Sequence, residues 1–322
     1  MRFLIAFAIG SVLGAIAWVG AFYALLGVPT DRSAGIAAAY EKKREVARAV
    51  EGPCVYLVGG SGVLMGVDSE KLSEAIGRDV VNFGVYAGLN LDYQLRQVLP
   101  YVGEGDVALL SFEYSISGTH RELDPGTRDY VVERDAAYFR SLPISDQLSA
   151  MFKRPPGSYY EWVAGSLLAL AERERRYPTE RINSYGDQTI NRVQPAEDEP
   201  SEDTPDRYSP IGARFVDRPY AIQLLTAFRT EVESQGGTVL ATFPGTLRFD
   251  QYDEPKHQRA FEAFATMYEE SGIDVLGSPS DFMLGRSAIY DTVYHLNAVG
   301  VEKRTQTLIP LLKAYLSSRE TR

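Results

Sequence analysis

Residues 3–28, FLIAFAIGSVLGAIAWVGAFYALLGV, run for 26 positions without a charged side chain. At about 1.5 Å per residue such a helix would measure roughly 39 Å, enough to cross a bilayer core of about 30 Å with some tilt. Helices of soluble domains typically stop near about 20 residues and carry a polar stripe. A cleaved leader has a shorter apolar stretch of about 7–15 residues followed by a small-residue cleavage site, and no clear site follows Val28. Residues 1–32 are therefore expected to be a retained, single-pass membrane anchor. A two-residue tail before a first apolar helix suits a signal anchor with a cytoplasmic N-terminus, which would put the remainder on the periplasmic side of the cell (inner) membrane. The positive-inside rule opposes that orientation, because Arg32, Lys42, Lys43 and Arg44 lie beyond the span.

The remaining chain is long enough for one large domain. Over all 322 residues, 33 basic and 43 acidic side chains give a formal net charge of −10, the wrong sign for a protein that grips nucleic acid phosphates. One cysteine, Cys54, excludes an intramolecular disulfide framework and any multi-cysteine metal site. No metal or other cofactor is expected. Histidine chemistry, if present, must use His120, His257 or His295.

Residues 33–52 read as a polar helical stalk, and residues 53–322 as one α/β domain. Apolar runs at 54–58, 80–83, 107–112, 238–243 and 273–276 are short enough for buried strands. They alternate with amphipathic stretches at 69–76, 91–99, 219–235, 254–270 and 297–316, the last containing Pro310. That alternation predicts a parallel five-stranded sheet covered on both faces, a three-layer sandwich. Residues 115–210 break the rhythm and read as a helical and loop insertion able to form a lid, with helices near 134–152 and 159–176. Within it, residues 193–206 hold six acids and three prolines and read as a solvated loop.

The first chemical candidate is Ser61, in the turn Gly59-Gly60-Ser61-Gly62 after the first strand. Ligands of open parallel sheets bind at the carboxyl ends of the strands. Spacing alone leaves a nucleophile, a structural turn and a nucleotide loop open, although Gly60-x-Gly62-x-x-x-Gly66 is one residue too long for a dinucleotide fingerprint. The second candidate is Asp291 with His295, four residues apart just before the last helix. A serine nucleophile needs such a base and an orienting carboxylate. Glu113 and Tyr114, at the end of the third strand, are candidates to face a substrate. Asn90 is either a rim residue or, like Asp92, a helix cap. His120 follows the third strand at the same rim, and His257, in a charged helix start, reads as surface.

Together these segments resemble the SGNH/GDSL hydrolase superfamily. Ser61 within Val58-Gly59-Gly60-Ser61 is similar to the first block, with Gly60 where the family usually has aspartate. Asn82-Phe-Gly84-Val-Tyr-Ala-Gly88 resembles the second block, and His295-x-Asn297-x-x-Gly300 the segment that begins at the base. The resemblance implies an SGNH-like fold with Ser61 as nucleophile, His295 as base and Asp291 as orienting acid. The N–H groups of Ser61 and of Gly84 or Gly88 would bind the oxyanion. Two departures stand out: acid and base are four apart instead of three, and Glu113 occupies the region where an asparagine normally donates to the oxyanion. With the anchor, the chain looks like bacterial envelope-modifying members, implying an esterase or O-acyltransferase. Its partners would be the lipid bilayer, a membrane-bound O-acyltransferase and a carbohydrate polymer. The alternative is a catalytically incompetent scaffold of the same fold in an envelope polymer acylation or export complex.

Overall fold

The structure, a computed structural model, describes residues 1–115, 122–153, 156–171, 181–192 and 219–320. The acidic stretch 193–206 and His120 lie outside the described residues. Two compact units divide the chain: residues 1–37 with 122–177, and residues 38–121 with 178–322.

The larger unit is an α/β sandwich. Strands β1 (Cys54–Val58), β2 (Asp79–Asn82), β3 (Val107–Leu110), β4 (Thr238–Thr242) and β6 (Asp274–Leu276) form a five-stranded sheet in the order β2-β1-β3-β4-β6. All four neighbouring pairs are parallel. β1 and β3 are buried at every position, as a sheet covered on both faces requires. The strand order reverses between β1 and β3, which opens a crevice at their carboxyl ends. Helix α4 (Ser69–Ile76) packs on α12 (Ala298–Glu320), while α10 (Pro219–Ser234) touches both α5 (Leu91–Val98) and α11 (Pro255–Glu270). Right-handed crossovers put these two groups on opposite faces. A short helix, α3 (Ser61–Leu64), follows β1, and a two-stranded parallel ribbon joins β5 (Thr246–Leu247) to β7 (Met283–Leu284). Local signals set several boundaries. The Asp68 side chain accepts from the Lys71 N–H to start α4, and Gly77 ends it in a left-handed conformation.

The smaller unit holds α1 (Arg2–Leu25), the start of α2 (Asp31–Arg48) and helices α6 (Pro125–Arg134), α7 (Ala136–Ser141), α8 (Ile144–Phe152) and α9 (Pro156–Ala171). α1 is long and apolar enough to cross a membrane, and most of it is exposed. Its C-terminal third is different: Phe22 is fully buried, with its ring 5.5 Å from that of Phe139 and 5.0 Å from that of Trp162. The single helix expected near 134–152 is two, α7 and α8, and α6 ends where that stretch begins. Asp135 ends α6 and caps α7 through the Tyr138 N–H, and Pro143 precedes α8.

Two expectations change. The polar helix after the anchor is no free stalk, because Tyr40, Lys43 and Ala47 are buried. Residues 181–192, read as part of the insertion, belong to the α/β unit and are sewn into it. The buried Asp187 carboxylate accepts from Ser69 Oγ at 2.6 Å, Asn82 Nδ2 at 2.9 Å and Arg192 Nη2 at 3.1 Å. Lys43 Nζ donates to the carbonyls of Asn82 and Gly186, each at 2.7 Å.

Burial lowers the Lys43 pKa to about 7, with Asp187 acting in the opposite sense. An unfolded lysine keeps its proton to about pH 10. Between roughly pH 7 and 10 the unfolded chain therefore binds more protons at this residue, and its contribution to stability rises with pH. Below pH 7 both states are protonated and the contribution is flat. Lys43→Met is expected to lower the gain in urea midpoint between pH 7 and pH 9. An identical gain in wild type and variant would contradict this account.

Candidate active site

Ser61 opens α3 three residues beyond β1, half-buried above the switch point. As the first residue of a helix its N–H has no partner within that helix. The turn is held from two sides. Gly62 N–H donates to Glu113 Oε1 at 2.6 Å, and Gly62 O accepts from Arg304 Nη1 at 2.7 Å. Arg304 Nη2 also donates to Ser111 Oγ at 2.7 Å, tying the turn to the end of β3. Glu113 and Arg304 are 2% and 1% exposed, so both charged groups lie inside the protein. Burial pushes the Glu113 carboxyl pKa up, opposed by its bond from Gly62 and by the nearby Arg304 and His295. Burial lowers the Arg304 pKa to about 10, opposed by Glu113 and Tyr114.

Glu113 explains the glycine at position 60. A methyl group there would lie 2.5 Å from Glu113 Oε2 and 2.7 Å from Ala87 Cα. The carboxylate thus fills the space beside the serine that an aspartate at position 60 would enter. Gly60→Asp is expected to destabilise the protein by about 1–3 kcal/mol through overpacking, measured as a lower urea midpoint. An unchanged midpoint would show that the space is open.

Asp291 and His295 meet. Nδ1 of His295 lies 2.6 Å from Asp291 Oδ1. The four-residue spacing is closed by a tight turn, in which Tyr290 N–H donates to His295 O at 2.8 Å and His295 N–H to Thr292 O at 3.3 Å. Leu247 N–H donates to Val293 O at 2.8 Å, which fixes this loop to the segment after β4. Asn297 holds the loop from its far side: Nδ2 donates to Ser287 O and Ile289 O, and Oδ1 accepts from the N–H groups of Val299 and Gly300 at the start of α12. The residues after the histidine therefore serve as a cap and a brace. Asp291 and His295 are 39% and 17% exposed at their side chains, accessible enough to meet a ligand.

The other expected site residues fall differently. Gly84 N–H donates to Asn82 Oδ1 at 2.9 Å, so an oxyanion would have to replace that bond. Gly84 also packs against the turn itself, where an added methyl group would lie 2.6 Å from Leu64 N. Gly88 lies against the ring of Tyr86, which is 44% exposed. Tyr114, expected to face a substrate, is instead a core residue. It is 1% exposed, with its ring edge-on to Phe261 and Phe264 at 5.1 and 5.0 Å. Asn90 is buried at the N-cap of α5, where its carbonyl accepts from Gln94 N–H. His257 is not on the surface: it is 2% exposed, 5.6 Å from the Tyr252 ring, on the α11 stripe shared with Phe261 and Phe264. Cys54 is fully buried, and desolvation pushes its pKa up.

Sequence reasoning missed Arg304. Its signal is positional, because it lies three residues after Val301 and four before Leu308, on the buried stripe of α12. Asn82, a motif residue in the sequence, is fully buried, and its side chain links Val63 O, Asp187 and Gly84 N–H.

Fold and site define an α/β three-layer sandwich with a serine-bearing turn, a histidine–aspartate pair and a buried glutamate–arginine pair at its carboxyl edge. No family model matches the chain, and no curated protein matches it. Among solved structures it is similar to protein YXIM from Bacillus subtilis, at 10% identity and a TM-score of 0.38, over 83% of this chain and 57% of that one. This chain thus spans little more than half the length of that protein, and a likeness so distant carries no argument about activity.

Proposed function

We propose that this chain is a membrane-anchored SGNH-type serine esterase or O-acyltransferase acting on an acyl group of a cell-envelope polysaccharide or related polymer. The observation that carries the reading is the 2.6 Å contact between His295 Nδ1 and Asp291 Oδ1. With Nδ1–H donating to Asp291, the Nε2 lone pair of His295 is the atom that accepts the Ser61 proton. Ser61 Oγ then attacks the acyl carbonyl, and the oxyanion is met by the Ser61 N–H and by Gly88 N–H, or by Gly84 N–H once released from Asn82. His295 passes its proton to the departing alcohol, leaving the acyl group on Ser61. Water or a sugar hydroxyl attacks the acyl carbonyl next, giving its proton to His295; the acyl–Ser61 Oγ bond breaks, His295 returns the proton to Ser61 Oγ, and the free acid or the acylated sugar leaves. No cofactor or metal takes part. A membrane-bound O-acyltransferase would be the acyl source, and α1 would hold the domain beside it.

Gly84 N–H already engaged by Asn82, together with the buried carboxylate at the nucleophile turn, favours a second reading: a catalytically incompetent scaffold for an envelope polymer acylation or export complex. A burst assay with p-nitrophenyl acetate separates the two. The enzyme reading predicts one nitrophenolate released per chain, with one acetyl group found on Ser61 by peptide mass spectrometry. A protein that is never acetylated at Ser61 would favour the scaffold.

A further inference from the structure

The smaller unit has an apolar surface that its own core does not need. On α8, Ile144, Leu148 and Phe152 recur every fourth residue and so share one face, and they are 70%, 47% and 50% exposed. On α9, Leu167, Leu168 and Leu170 are 56%, 61% and 64% exposed. Soluble domains seldom leave so many neighbouring leucine-class side chains in water without a partner.

The position of these helices on α1 identifies what covers them. The Trp18 indole donates to Met151 O on α8 at 3.1 Å, and the Tyr23 hydroxyl donates to Gln147 Oε1 on α8 at 2.9 Å. Trp18 also meets Tyr159 and Trp162 of α9 edge-on, with ring centroids 5.2 and 6.5 Å apart. Trp18 and Tyr23 lie toward the C-terminal end of an otherwise aliphatic and phenylalanine-rich helix. Tryptophan and tyrosine at the end of a span sit at headgroup depth. The helices bound to them are therefore held at the same depth, beside the C-terminal end of α1. In α9 the one charged residue between Gly157 and Leu170, Glu161, is paired at 2.8 Å with Arg32, just beyond the span.

We infer that α8 and α9 form an interfacial membrane-binding module, with Ile144, Leu148, Phe152, Leu167, Leu168 and Leu170 entering the boundary between lipid headgroups and acyl chains. This inference rests on the membrane-anchor reading of α1. The helical segment expected to serve as a lid is thereby a second membrane contact. It limits tilting about the span, and its occupant is lipid, not a protein groove.

The test uses the full chain reconstituted in vesicles of phosphatidylcholine and phosphatidylglycerol. A bimane fluorophore is attached at Leu148→Cys or at Leu168→Cys, and lipids brominated on their acyl chains serve as quenchers. Cys54 is buried and does not compete for label. Ile9→Cys reports on the span, and Glu262→Cys on the exposed face of α11 is the aqueous control. The expected result is loss of fluorescence at positions 9, 148 and 168 and none at 262. Quenching at position 9 with positions 148 and 168 as bright as 262 would overturn the inference and leave the anchor standing; the face would then belong to a protein partner. No quenching at position 9 would overturn the anchor and this inference with it.

Discussion

Ser61→Ala should lower the turnover of activated acyl esters by roughly 10⁴- to 10⁶-fold while leaving the urea midpoint near that of the wild type. Removing the nucleophile of a serine hydrolase discards the covalent route entirely, and what remains comes from binding and oxyanion stabilisation. The stability expectation follows from what holds the turn. Gly62 N–H and Gly62 O are the groups bonded to Glu113 and Arg304, and the serine hydroxyl is not needed for either bond. His295→Ala should lose a similar factor, and combining it with Ser61→Ala should cost little more, since in the proposed mechanism the two act as one unit. A Ser61→Ala protein that turns over within tenfold of wild type would remove Ser61 from the mechanism. A variant that loses both activity and stability would make the serine a structural residue.

How far these residues could be read from the chain depends on how local their signals are. β1 and its glycine turn were legible because a run of five buried side chains ending in glycines has few other solutions. The Asp291–His295 pair was legible because both partners lie within one turn. Arg304 was not, since it is 193 positions from Ser111 and 242 from Gly62, its two bonded partners in the turn and the strand end. A charged residue on a helix reads as solvated until the strands it faces are known. Asp187 was hidden for a similar reason. It lies near an acidic, proline-rich stretch that biased the whole region toward an insertion, whereas its carboxylate accepts bonds from Ser69 and Asn82, more than a hundred positions away. The helix expected near 134–152 failed at Asp135 and Pro143, ordinary punctuation that apolar content on both sides masked. Tyr114 was placed by its position at a strand end, but the aromatic side chains of α11 claimed it for the core.

Arg304→Met is expected to be the most destabilising of the substitutions considered, by about 3–5 kcal/mol, because it leaves a buried carboxyl group without its compensating charge. The methionine fills much of the same volume, so the cost reports on charge and hydrogen bonding more than on packing. Three groups are affected: Gly62 O, Ser111 Oγ and, through space, the Glu113 carboxylate. Glu113→Gln in the same chain removes the orphaned charge and should recover a substantial part of the loss, a coupling that a double-mutant cycle in urea isolates. Additive effects of the two substitutions would show that the pair does not interact. The turn carrying Ser61 is fastened by this pair, so Arg304→Met should also slow acyl turnover at temperatures where it remains folded.

The central claim is that Ser61 is a nucleophile activated by His295, and covalent labelling of the intact chain tests it most directly. The detergent-solubilised protein is treated with a fluorophosphonate probe, and the modified peptide is located by mass spectrometry. The account predicts one phosphonylated residue, Ser61, with labelling lost in Ser61→Ala and strongly slowed in His295→Ala. Labelling that persists in Ser61→Ala, or that proceeds at the wild-type rate in His295→Ala, would contradict it.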